Sequence, residues 1–129
     1  MRAAMVGTSG GAIVHCDLAE TPEQQQIGLS RARFAPKAML FDFRVPRIAS
    51  MTMHETAVPL GMMFIDENGT VRQIVRRAGP GNPVPYTCPI PVRWVLEATP
   101  AEIERLERAG ARAGMDVTMY LPHSRTIAA

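Results

Sequence analysis

The sequence predicts a mainly β protein with two short helices, built as a mostly antiparallel small sandwich or partly open barrel. Three observations point there. Short runs alternate apolar and polar residues with a period of two, the mark of half-buried strands. An Asn68-Gly69 pair separates two strand-like runs, the strongest short-range hairpin signal. Strand-like runs rarely alternate with helical ones, which argues against a doubly wound parallel sheet. At 129 residues the chain is about one ordinary domain, and an apolar content of 47% is enough for a core. Order is expected over about 11–121, with tails at 1–10 and 122–129.

The first strand runs from Gly11 to Leu18. Ala12, Val14, Cys16 and Leu18 share one face; Ile13, His15 and Asp17 share the other. Thr21-Pro22-Glu23-Gln24 then supplies a capping hydroxyl, a proline at the first helical position and a glutamine three residues after the cap. That helix is short, ending near Leu29, because Gly28 and Pro36 bracket the exit. Met39 to Phe43 is a compact apolar strand. Ser50 to Thr56 alternates again, with Met51, Met53 and Glu55 on one face and Ser50, Thr52, His54 and Thr56 on the other.

Ala57 to Asp66 is nearly all apolar and is expected as a buried strand broken near Pro59, since proline cannot donate to a central ladder. A turn with positive φ at both Asn68 and Gly69 leads into Thr70 to Ala78, whose mixed faces place it near a sheet edge. Gly79 to Pro91 carries five prolines; a long loop of this kind is often functional and its prolines stiffen it. Val92 to Glu97 is a strand with Val92, Trp94 and Leu96 inward. Thr99-Pro100-Ala101-Glu102 forms a full capping box for a helix that runs to about Ala109 and stops at Gly110, with Ile103 and Leu106 as its apolar stripe. Val117 to Leu121 is the last strand.

The net charge is +2, and Lys37 is the sole lysine beside thirteen arginines. Acids interleave with those arginines and aromatics are only 5%, so the basic, aromatic-rich footprint of a nucleic-acid binder is missing. No run is long enough for a membrane span, and the opening residues lack the apolar segment of a secretory signal. The compartment expected by default is therefore the cytoplasm. Cys16 lies on the apolar face of its strand, whereas Cys88 sits in the proline-rich loop and is the more exposed of the two.

Candidate chemistry centres on His54. If Ser50 to Thr56 is a strand, His54 and Glu55 point to opposite faces and cannot form a dyad. What remains is a polar strip of Thr52, His54 and Thr56, either one wall of a ligand site or simply a wetted sheet face. Tyr86 and its neighbours in the proline-rich loop would cover the site. His15 and Asp17 make a loose surface pair, and three dispersed histidines (His15, His54, His123) lack metal-ligand spacing, so no metal is expected. No phosphate-binding, dinucleotide-binding or nucleophile-elbow motif is present, so no cofactor is expected. Four methionines between Met51 and Met63 are expected to fill the core, with an adaptable interaction face as the alternative.

Taken together, Thr21-Pro22-Glu23 with Gly28-Leu29, Met39-Leu40-Phe41, the stretch from Met53 through Thr56, Pro59, Leu60, Met62, Phe64, Ile65 and Asp66 to Gly69, and Pro91-Val92-Arg93 with Val95-Leu96-Glu97 resemble the bacterial and archaeal family called domain of unknown function 192. The resemblance covers about 13–121. It implies a small β-rich domain, often exported behind a signal peptide, and it brings no established activity. It also implies a patch in which Met53, Thr56, Pro59, Leu60 and Glu97 match the family pattern. Thr52 stands where tryptophan is usual, His54 for lysine, Glu55 for asparagine and Gly61 for aspartate. A family arginine falls on Arg31 or Arg33, and the family's Gly-Asp appears as Gly114-Met115 with Asp116 one place later.

The leading expectation is a non-catalytic module that binds a small polar or anionic ligand through Thr52, His54, Thr56, Tyr86 and Glu97. The alternatives are a hydrolase with His54 as general base, and a structural or partner-binding domain with a methionine-rich dimer face. The chain is expected as a monomer or homodimer.

Overall fold

The computed structural model describes residues 1–28, 38–54 and 56–122. The strands are β1 (Arg2–Thr8), β2 (Ile13–Ala19), β3 (Ala38–Arg47), β4 (Ser50–Met51), β5 (Leu60–Ile65), β6 (Val71–Ala78), β7 (Tyr86–Thr87), β8 (Val92–Ala98) and β9 (Val117–Tyr120); the helices are α1 (Pro22–Ile27) and α2 (Pro100–Arg108). Seven strands form one sheet in the order β6-β5-β8-β3-β2-β1-β9, curled into a half-barrel, while β4 and β7 pair separately. The expectation of a mainly β, mostly antiparallel protein holds. Its parallel pair is β2 with β3, in register from Cys16 opposite Ala38 to Ala19 opposite Phe41.

Both faces of the central sheet are buried, which explains why its strands are nearly continuous apolar runs. On one face Leu18, Leu40, Met63, Ile65, Trp94 and Leu96 meet Ile103 and Leu106 of α2. On the other face Met39, Phe41, Met62, Phe64 and Val95 meet Met51, Met53 and Cys88 from the loops and the two-stranded ribbon. Burial of a large apolar side chain contributes about 1.5–3 kcal/mol, so these two layers supply most of the driving force. Met51, Met53, Met62 and Met63 are all interior. They fill the core.

Several expectations are corrected. The first residues are no tail: Arg2–Thr8 pairs with both β2 and β9, and Ala4 and Val6 alternate into the core. The strand beginning at Ser50 stops at Met51; beyond it the Thr56 amide donates to the Met53 carbonyl at 3.1 Å, a local bond and not a ladder pairing. The run from Ala57 enters the ladder only at Leu60, after Pro59.

The hairpin is real, but its turn is built differently from expectation. Only Gly69 has positive φ (85°), and its amide donates to the Asp66 carbonyl while the Asp66 amide donates to Thr70. The Asp66 carboxylate accepts from the amides of Asn68 and Thr70, so an aspartate cap replaces the second left-handed residue. β6 lies at the sheet edge, as its mixed faces predict. The reciprocal capping box belongs to α1, through Thr21 and Gln24. In α2, Thr99 caps the Glu102 amide, but the Glu102 carboxylate is held by Arg105. Cys88 is fully buried, and both cysteines are free, one in each apolar layer. Burial, with a smaller effect of nearby Asp17, pushes the Cys16 thiol up to about 12.

Candidate functional site

Two parallel neighbours cannot be joined by a tight turn, so the chain between β2 and β3 must cross over, and α1 lies on that crossover. The Thr21–Gln24 capping box and Pro22 start the helix. Gln25 then fixes it to the sheet, its Nε2 donating to the carbonyls of Ala19 (3.2 Å) and Asp42 (2.9 Å). At its end Gly28 adopts φ 51°, and a Cβ there would stand 3.3 Å from the Phe41 ring. Glycine lets the helix end lie directly on that aromatic surface.

Between α1 and the β3–β4 region opens a cavity of about 530 Å³. Gln25, Gln26 and Gly28 form one wall; Phe41, Phe43 and Arg47 of β3 form another. Ser50, Met51, Thr52, His54 and Thr56 border it on the β4 side, and Glu97 reaches it from β8. Four of the residues singled out from sequence, Thr52, His54, Thr56 and Glu97, thus line one space.

They do so by a route other than strand alternation. Thr52 and His54 are exposed, whereas Thr56 is buried. The Thr52 hydroxyl accepts from the His54 amide at 3.1 Å, holding the histidine's backbone in a local turn. The Gly81 amide, from the proline-rich segment, donates to the carbonyls of both Met53 and Thr56 at 3.0 Å. That segment braces the turn from outside. Tyr86 does not line the cavity: it pairs with Met51 across the β4–β7 ribbon and packs on the apolar layer behind it. Ser50 and Thr87, the other pair of that ribbon, join through their hydroxyls at 2.6 Å. Glu55, Arg31, Arg33 and His123 lie outside the described residues.

Glu97 is the chemically distinctive member. It is only 4% exposed and sits opposite Met39 on one side and Met62 on the other. Among the described residues no group hydrogen-bonds its carboxyl. Burial pushes that carboxyl up to about 8, so it is predominantly a neutral acid at pH 7.

Asp42 was missed by sequence reasoning. It is fully buried and paired with Arg93, and its position as an acid inside the apolar Phe41–Phe43 run was the available signal. Among the described residues no group of three or more histidine, cysteine or acidic side chains is arranged to hold a metal ion. Also among them, no helix is long and apolar enough to cross a membrane.

Fold and cavity together define a small curled-sheet β domain with a lateral pocket walled by its crossover helix. The chain belongs to the domain of unknown function 192 (DUF192) family, described as uncharacterized ACR, whose model matches residues 5–119. Two solved structures are similar. A candidate transcription regulator from Sinorhizobium meliloti 1021 is 33% identical, with 89% of this chain and 90% of that chain covered and a TM-score of 0.75. A protein of unknown function from Novosphingobium aromaticivorans DSM 12444 is 26% identical, with 89% and 82% covered and a TM-score of 0.75. No curated protein matches the chain.

Proposed function

We propose that this protein is a non-catalytic module that binds a small polar ligand in the cavity beside α1. The observation that carries this reading is the convergence of Glu97, Thr56, Thr52 and His54 on one space of about 530 Å³. That volume suits a small molecule, and a mixed wall with a few convergent polar groups is the usual make-up of a ligand site. The hydrolase alternative is less well supported. Among the described residues no hydroxyl or thiol hydrogen-bonds the His54 imidazole, the arrangement that would activate a nucleophile.

A thermal-shift screen of sugars, organic acids, amines and short peptides tests the proposal. A ligand at a hundredfold excess over its Kd stabilises the folded state by about 2.7 kcal/mol. At least one class should raise the melting temperature of the wild-type chain and lose that effect in a Thr56→Val, Glu97→Gln double variant. A screen in which nothing shifts removes the reading.

A further inference from the structure

We infer that the cavity receives a ligand carrying an ammonium group, seated on Glu97, with its apolar body against Phe41 and Phe43. This deepens the binding-module reading and rests on it.

Glu97 reaches the cavity from near the end of a central strand, where its neighbours on both adjoining strands are methionines. A buried carboxyl normally has a hydrogen-bond partner, because leaving one without costs free energy. Here none of the described residues supplies it, so the open cavity is the direction from which a partner can come. An ammonium group gives both an ion pair and a hydrogen bond, and charge-assisted bonds are roughly twice as strong as neutral ones. A ligand carboxylate would instead have to share a proton with Glu97.

The aromatic wall supports the same sign. Phe41 and Phe43 lie with ring centroids 6.4 Å apart, and the Arg47 guanidinium already rests 4.6 Å above Phe43. That ring face therefore accepts a cation. Among the described residues, the charged or titratable groups that line the cavity with Glu97 are Arg47 and His54, both exposed. Asp42 on neighbouring β3 is neutralised by Arg93. Water screens these exposed groups, so the charge an ammonium group meets inside the cavity is the Glu97 carboxylate that forms as the carboxyl gives up its proton.

Three probes of one shape and different charge decide the matter on the full chain: 2-phenylethylamine, 2-phenylethanol and 3-phenylpropionate, followed by calorimetry and by NMR shifts of the cavity residues. The amine should bind at least tenfold more tightly than either of the others at pH 7. Glu97→Gln should erase that preference. Because the carboxyl must ionise to pair, amine affinity should rise nearly tenfold from pH 6 to pH 7 and level off above about pH 8, with a proton released on binding in the acid part of that range. These two readouts need only wild-type protein, so they decide the case even if the glutamine variant folds poorly. The slope should persist in His54→Gln; its disappearance there would transfer the effect to the imidazole and overturn the assignment. If the alcohol or the acid binds as well as the amine, the binding module stands and the ammonium assignment falls. If no probe perturbs the cavity, the ammonium assignment falls, and the binding module stands or falls on the thermal-shift screen.

Discussion

Arg93 spans both oxygens of the fully buried Asp42 carboxylate, Nε to Oδ1 at 3.1 Å and Nη2 to Oδ2 at 3.3 Å. The same guanidinium lies 4.3 Å from the centre of the Trp94 ring. Asp42 Oδ1 also accepts from the Arg44 amide at 2.8 Å, where the backbone turns through φ 70° at the irregularity in the β3–β8 pairing. One carboxylate thus holds a neighbouring strand and a bulge in its own.

Removing the cation leaves that carboxylate buried and only partly satisfied. Arg93→Ala is expected to destabilise the fold by about 3 kcal/mol, the lower end of the range for breaking a buried pair, because the arginine is partly solvated. Urea unfolding measures it. A loss below about 1 kcal/mol would mean that water replaces the guanidinium without cost.

Glu97 gives stability a pH dependence of definite sign. Its folded value of about 8 lies above the ordinary carboxylate range, so between about pH 4.5 and pH 8 the folded state holds a proton that the unfolded state has lost. This group's contribution is therefore complete at the acid end of that window, declines as pH rises, and levels off above about 8. Melting temperatures of wild type minus Glu97→Gln, followed from pH 5 to pH 9, should fall with pH and then flatten. A flat difference would show that the carboxyl is ionised in the folded protein at neutral pH.

Gly61 is required by packing. A Cβ on it would stand 2.4 Å from Ile103 Cγ1 and 3.1 Å from the Arg76 carbonyl oxygen. Gly61→Ala should therefore push α2 off β5 and cost about 1–3 kcal/mol. Thermal unfolding reads this directly, and pairing the change with Ile103→Val should recover part of the loss. Without such recovery, the strain lies in the backbone and not at the helix contact. The same contact explains why aspartate, usual at this place in the family, has no room in this chain.

Much of the fold was legible where local chemistry decided it. Thr21 and Thr99 marked both helix starts, the two-faced apolar runs marked the central strands, and the arginines of β6 marked an edge. The local bond between Thr56 and Met53 was not legible. The alternation there looks strand-like, but the bonds that pull it from the ladder come from Gly81, far along the chain. The N-terminal strand carried a weak signal, Ala4 and Val6, diluted by alanine and glycine. At the site, Thr52, His54 and Thr56 were found by a pattern that the backbone does not follow, and Glu97 was found only through family resemblance. Its environment depends on Met39 and Met62 of other strands, which no local pattern reveals.

The side-by-side run of β2 and β3 has an outcome of its own. The chain must leave the sheet after Ala19 and return at Ala38, and part of that obligatory detour forms a wall of the cavity. Residues of the detour that line the cavity can therefore be exchanged without touching the strands that bring Glu97 to the interior. That wall of the cavity and the hydrogen-bonded ladder of the sheet are drawn from different stretches of the same polypeptide.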